Sequence, residues 1–372
     1  MPLLAMPRRY CLLGLFWAAL VGPVAAAPDL DGFSGLVGLA GGTYQVPGKA
    51  ALGFEVAGTR LRFQEDLSSN WSLLLVGDAV QSFGSPTVPP AWVLFPVKNA
   101  LSLEVNNLTS SDGSGYYNLR AQRALLKWDD GPWEATLGLF KPDWGSAFLF
   151  RPTDYFFPLG ALAIRREMTL PSEGLQLIRF LFDDLSLEGA VRFLEGGVTE
   201  GVLRLSQKGI GLTLIPSFAF LQGREGLGLE AAVTFPDFKA SLEGVNWFLP
   251  GGSSRLEWVA GLSTSSKGGT EIALEGYKDG TGNILGPYSS GTLQAFYLSL
   301  RVKTKFLERG KLEAKLLKSP DGGAFVFWPK AEWDLGGGFN GFLETRCPLG
   351  NDPGPLSLSP GFFWTGLLFS FS

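Results

Sequence analysis

The 372-residue chain contains no histidine. That absence excludes Ser-His-Asp and Cys-His catalysis, and every zinc site ligated by imidazole. Cysteine is nearly missing as well: only Cys11 and Cys347 are present. Cys11 falls in an N-terminal segment that reads as cleaved, so Cys347 would stand alone and no internal disulfide could form. Beyond that segment no apolar run reaches about 18 residues, which excludes helical membrane spans. There is no excess of positive charge either, with 31 basic against 35 acidic residues. Without Arg8 and Arg9 the balance is 29 against 35, a net charge of −6, which does not suggest a nucleic-acid binder.

The N-terminal segment carries Arg8 and Arg9, an apolar run from Cys11 to Leu20, and small residues ending Val24-Ala25-Ala26-Ala27. This is the layout of a secretory signal peptide. Cleavage is expected after Ala26, because Pro28 would hinder cutting after Ala27. The expected organisation is therefore a signal peptide over 1–26 and a single domain over 27–372.

What the chain has in abundance is glycine and aromatic residues, with 50 Gly, 29 Phe and 11 Trp. They are spread over short segments with a two-residue period. In 225–235, Leu227, Leu229, Ala231, Val233 and Phe235 oppose Gly228, Glu230 and Thr234. In 185–193, Leu185, Leu187, Val191 and Phe193 oppose Ser186, Glu188 and Arg192. The last ten residues alternate in the same way, with Phe363, Thr365, Leu367, Phe369 and Phe371 on one face. Strands this greasy need cover for their outer faces. A closed barrel in a bilayer supplies it, with lipid outside, water inside and every edge paired. A one-residue slip would put charges into hydrocarbon at roughly 2–4 kcal/mol per Arg or Lys near the midplane, so register is strongly fixed.

Eighteen such segments can be counted; sixteen is the other even count, since the first two segments and 199–220 are weakly separated. Short turns such as Asp129-Asp130-Gly131-Pro132 and Gly336-Gly337-Gly338 separate many of them. Longer connections cover 83–115, 143–173 and 348–360. Pro216 and Pro329 fall inside segments and predict bulges or strand ends. The fold class is thus all-β, a closed antiparallel transmembrane β-barrel of 16–18 strands.

The region 137–195 is the most distinctive. A strand ends in Asp143-Trp144-Gly145, a loop follows with Arg151-Pro152-Thr153-Asp154-Tyr155 and Pro158, and a hairpin turns at Asp183-Asp184. This segment resembles a group of porin-like outer-membrane barrel proteins of Gram-negative bacteria. The resemblance covers about 60 residues in detail and the rest only as a barrel pattern. It implies a barrel of 14–18 strands and a loop that can fold into the lumen; it implies no particular solute. Arg151, Asp154, Arg165, Arg166 and Glu167 are the charged candidates for such a constriction. The other reading of the loop is an external one, closed over its own aromatics Phe148, Phe150, Tyr155, Phe156 and Phe157.

A second constellation is basic. Arg301, Lys303 and Lys305 share the lumen face of one strand, and Lys311, Glu313 and Lys315 that of the next. A one-sign field in a channel of low dielectric would favour anions. Carboxylates including Glu257, Glu275, Glu271, Glu332 and Asp334 offer a second reading, a salt-bridged wall without selectivity. No order among the acidic residues marks a catalytic pair, and no cofactor, metal or enzymatic activity is expected. The expected function is passive diffusion of small solutes across the bacterial outer membrane, with lipid and the outer-membrane assembly machinery as partners. The alternatives are a plugged barrel that displays its loops to partners, and a soluble β-sandwich with its aromatic rows buried.

Overall fold

Segments with one apolar and one polar face gain most when antiparallel neighbours align those faces, and the chain does this around a full circle. A computed structural model describes residues 33–45, 52–84, 104–106, 115–140, 142, 144–156, 172–194, 199–221, 223–278, 296–318, 325–349 and 361–371. The strands are β1 (Phe33–Gln45), β2 (Leu52–Asp66), β3 (Trp71–Gly84), β4 (Glu104–Asn106), β5 (Gly115–Asp130), β6 (Trp133–Phe140), β7 (Ser172–Phe182), β8 (Leu185–Phe193), β9 (Thr199–Gly209) and β10 (Leu212–Leu221). They continue as β11 (Arg224–Thr234), β12 (Phe238–Phe248), β13 (Ser254–Ser265), β14 (Glu271–Lys278), β15 (Phe296–Phe306), β16 (Gly310–Lys318), β17 (Phe325–Gly336), β18 (Phe339–Leu349) and β19 (Gly361–Phe371).

Each long strand pairs antiparallel with the next, and β1 pairs with β19 from Gly35↔Phe371 to Gln45↔Gly361. The wall therefore closes as an 18-strand barrel, the upper of the two counts expected. The nineteenth strand, β4, has three residues and sits on β5 beside Asn118–Arg120, beyond the point where β6 ends its pairing at Ala124↔Leu139. The signal peptide, most of 83–115 and all of 350–360 lie outside the described residues.

The two faces are inverted relative to a water-soluble protein. On β11, Leu227, Leu229 and Val233 are exposed while Glu230 and Ala232 are buried. Across the barrel, Leu203, Leu242, Leu256 and Leu274 stand on the surface, and Glu200, Glu243 and Glu275 are at most 1% exposed. Hydrocarbon outside is the surrounding that makes this arrangement favourable, because each exposed leucine would otherwise forgo roughly 1.5–3 kcal/mol of burial. The soluble sandwich, which needs those rows turned inward, is overturned by their outward orientation. Exposed aromatics band the wall at both ends: Phe238 and Phe248 bracket β12. Ten residues at about 3.4 Å each and a tilt near 40° place these two about 26 Å apart along the barrel axis, the height of a lipid-facing belt.

The prolines behave differently from the expectation. Pro216 is opposite Leu229 inside β10, and Pro329 is opposite Ala314 inside β17. On its other side each interrupts the ladder, between Leu214↔Gln207 and Ser217↔Arg204 and between Phe327↔Cys347 and Lys330↔Glu344, without shifting register. Only the missing N–H is lost. The register shifts lie at Val76/Gly77, Phe180/Phe182 and Asp334/Gly336.

Candidate lumen site

The segment 144–156 follows β6 and lies against the buried, inner face of the wall from β8 to β15. Its aromatic side chains account for that placement, since they find cover there. Trp144 is 3% exposed and edges onto Tyr155, with ring centroids 6.2 Å apart. Tyr155 in turn meets Trp247 of β12 edge-on at 5.9 Å. Phe150 stacks on Tyr277 of β14 at 4.0 Å. The site under Tyr155 requires Gly228: a Cβ there would coincide with the tyrosine hydroxyl and lie 2.6 Å from Ser217 Oγ.

Carboxylates of the wall hold the segment's backbone. Glu243 accepts from the N–H groups of Ser146 and Ala147, from Ser146 Oγ at 3.1 Å and from Thr153 Oγ1 at 3.0 Å. Glu275 accepts from Phe148 N at 2.6 Å and Leu149 N at 3.1 Å. Glu188 accepts from Trp144 Nε1 at 2.7 Å. The turn at Gly145, with φ +86°, lets consecutive amides converge on Glu243. Three strands thus present one carboxylate each to one irregular segment, whose amides would otherwise be unsatisfied away from water.

Charge pairs brace the wall behind it. Arg204 of β9 donates to Glu188 Oε2 at 2.9 Å and to Glu230 of β11, and its guanidinium lies 5.1 Å from the Trp144 ring. Arg192 of β8 donates to Glu200 and, at 2.7 Å, to the carbonyl of Phe156. All three carboxylates and both arginines of these pairs are buried.

The expected residues are distributed unevenly over this geometry. Arg151 folds back onto its own segment, with Nε on Ala147 O at 2.7 Å and Nη1 on Trp144 O at 3.3 Å. Burial pulls its pKa down from the usual guanidinium range, and Glu243 with Asp154 opposes that. Asp154 is fully buried, so it does not face open water as a constriction charge would. Arg165, Arg166 and Glu167 lie outside the described residues. Glu275 is on the lumen face but covered by the segment it anchors. Glu257 accepts from the Tyr277 hydroxyl at 2.6 Å.

The basic stripe is largely matched by carboxylates. Arg301 Nε meets Glu313 at 2.8 Å, Lys315 reaches the same carboxylate at 3.4 Å, and Lys303 meets Glu271 at 3.7 Å. Lys305 and Lys311 sit opposite each other near the short-turn end, both exposed. Glu313, expected on the same face as Lys311 and Lys315, is the carboxylate shared by Arg301 and Lys315, a pairing the sequence reading did not name.

Sequence reasoning also missed Glu243, and a signal for it was available. Ser186-Leu187-Glu188-Gly189, Ser241-Leu242-Glu243-Gly244 and Ala273-Leu274-Glu275-Gly276 are one recurring tetrapeptide. Its glutamates are the three anchors of the inward segment.

Tyr155 is the clearest titration probe of this docking. Burial raises its pKa to about 12, with the Ser217 hydroxyl at 2.6 Å partly opposing that. An exposed phenol ionises near 10. Docking stability from this group is therefore complete below about pH 10 and lost as pH rises toward 12. Ultraviolet titration is expected to show a late-ionising tyrosine that is lost in Y155F.

The geometry defines a porin-type β-barrel: a closed antiparallel wall, lipid-facing outside and charged inside, with an irregular segment folded onto the inner face. Solved outer-membrane porins share this fold. OccAB2 of Acinetobacter baumannii superposes with a TM-score of 0.61 at 10% identity, over 93% of this chain and 99% of that one. OccK5 (OpdH) of Pseudomonas aeruginosa gives 0.60 at 12%, over 91% and 97%. OpdK of Pseudomonas aeruginosa, solved with vanillate, gives 0.56 at 10%, over 92% and 99%. No protein-family model matches the chain, and no curated protein matches it in sequence.

Proposed function

We propose that the protein is an outer-membrane channel for passive diffusion of small solutes, with a preference for anions. The observation that carries this reading is the distribution of charge around the inner wall. Arg60 and Arg62 of β2 and Arg123 of β5 share one patch of lumen face: Arg62 and Arg123 are both opposite Val76, with Arg60 one row above. Arg60 and Arg62 both lie within electrostatic reach of Arg123, and Asp78 of β3 is in the same row as Arg60. The apolar cluster around Trp144 and Tyr155 reaches Leu125 of β5 and Leu74 of β3, so this patch borders the covered part of the inner wall. A solute that passes it meets a cationic surface. Like charges held together in a low-dielectric tube attract mobile anions. OpdK, a structural neighbour solved with an organic carboxylate, is consistent with that preference.

The connections after β2, β5, β7, β9, β11, β13, β15 and β17, two to five residues each, lie at one rim with the start of β1 and the end of β19, as in barrels whose short turns face the periplasm. The signal peptide over 1–26 and delivery to the outer-membrane assembly machinery belong to the same reading. A plugged barrel is the second reading, and the apolar cluster of Trp144, Tyr155, Phe156, Val245 and Trp247 inside the wall favours it.

Planar-bilayer recording under a salt gradient separates these. The parent is expected to show an anion-selective reversal potential, and R60Q/R62Q/R123Q a shift toward cations. An unmoved potential removes the preference; no conductance from folded protein selects the plugged barrel.

A further inference from the structure

Below segment 144–156, on the short-turn side, the inner wall holds a recess of about 130 Å³. Its floor is made of small residues: Gly261 and Ser263 of β13, Ala273 of β14 and Ser241 of β12. Ser146 and Phe148 of the inward segment roof it. Lys239 and Arg301 flank it. The register row Lys239↔Ser263↔Ala273↔Arg301 puts these two cations three strands apart with only small side chains between them.

Several donors here are uncommitted. Among the described residues Lys239 makes no hydrogen bond or ion pair. Arg301 gives its Nε to Glu313 at 2.8 Å and lies 5.8 Å from the Phe148 ring, and its two terminal nitrogens make no hydrogen bond. The side chains of Ser241, Ser263 and Ser265 also donate to nothing. Of the two carboxylates on the lining, Glu275 has both oxygens occupied by Phe148 and Leu149 amides, and Glu271 faces Lys303 at 3.7 Å. The immediate surroundings hold Lys239, Arg301, Lys303 and Lys315 against Glu243, Glu271, Glu275 and Glu313, four charges of each sign.

Resting on the channel reading above, we infer that this recess is a transit site for the phosphate group, as inorganic phosphate or as a small phosphate monoester. A tetrahedral oxyanion offers acceptors in several directions at once. The guanidinium fork, an ammonium on the far side and hydroxyls from the floor match that arrangement. A carboxylate is planar and would engage the fork while leaving the serines and Lys239 unused. The nearby carboxylates keep binding weak, and weak binding is what lets a channel site release its occupant.

The test uses the folded full-length barrel and two readouts. In bilayers, inorganic phosphate is expected to reduce chloride current at millimolar concentration, and glucose 6-phosphate to do likewise if esters are accepted. Acetate at the same concentration is expected to have a several-fold weaker effect. K239Q, on an open part of the wall, is expected to raise the half-blocking phosphate concentration about tenfold, and S241A/S263A several-fold, each read relative to that variant's own phosphate-free chloride current. In detergent, phosphorus magnetic-resonance broadening of inorganic phosphate is expected for the parent and not for K239Q, whether or not the barrel conducts. Equal block by phosphate and acetate, or phosphate broadening that K239Q leaves intact, overturns the site. Absence of conductance with broadening intact overturns the channel reading and leaves the site.

Discussion

An E243Q/E275Q double variant is expected to conduct more, and with more current noise, than the parent channel. The two carboxylates accept four consecutive backbone amides, Ser146 to Leu149, and Glu243 also holds Thr153. A hydrogen bond to a charged acceptor contributes roughly 1.5–3 kcal/mol, and an amide side chain returns only part of it. Glutamine also brings an NH₂ group toward donors, so one contact in each set becomes repulsive. With aromatic packing left to hold the segment alone, it is expected to sample positions away from the wall. Single-channel recording measures the conductance. Hydrogen exchange at the amides of 146–149 measures release directly and needs no open pore. Protection equal to the parent's would show that the aromatics suffice. E332Q serves as the control, because Glu332 pairs with Lys330 on another part of the wall and touches none of these amides.

The second large effect is expected on stability. R204A leaves Glu188 and Glu230 buried without their shared cation, and the loss is about 3–5 kcal/mol. Arg204 spans from β9 past β10 to β11 and also covers the Trp144 ring, so the defect reaches the inward segment. Reversible urea unfolding in lipid vesicles provides the number. The neutral replacement R204M/E188Q/E230Q is expected to recover most of it, because no uncompensated charge remains. If R204A alone costs less than about 1 kcal/mol, water reaches these carboxylates and their burial is not what the static geometry implies.

The wall was legible in the sequence because a single period governs it. Lipid on one side and charge on the other force every second residue to one type, so Leu227 to Val233 or Phe363 to Phe371 announce a strand and its facing together. β4 was not legible: Glu104–Asn106 is too short to show a period, and it forms only where β5 outruns β6. The prolines misled for a physical reason. A central strand has a donor to lose on only one of its two ladders at any residue, and both Pro216 and Pro329 keep the opposite pairing intact.

Inside the barrel, residue type alone says less. Glu230, Glu243 and Lys303 all alternate correctly as inward charges, yet one is locked to an arginine, one to a backbone and one to a partly exposed partner. What separates them is the path of segment 144–156, which follows its aromatics and has no period. Only the Leu-Glu-Gly copies preceded by Ser or Ala, three in number, recorded that path in the sequence. Each copy sets leucine to lipid, glutamate to the interior and a side chain of minimal size beside it.

The junction of β1 with β19 carries a consequence for assembly. Its eleven residue pairs join positions more than 300 apart along the chain, and closing so long a loop costs roughly 5 kcal/mol of chain entropy before any contact offsets it. One margin contains Gly35, Gly38, Gly41 and Gly42, so backbone bonding must supply much of the attraction there. Every other junction can zip from a neighbouring hairpin. This one waits for the C-terminal strand to be made and delivered. Until then a curved, Phe-rich sheet exposes two unsatisfied margins, and the order of synthesis becomes an order of danger that ends only when the circle is sealed.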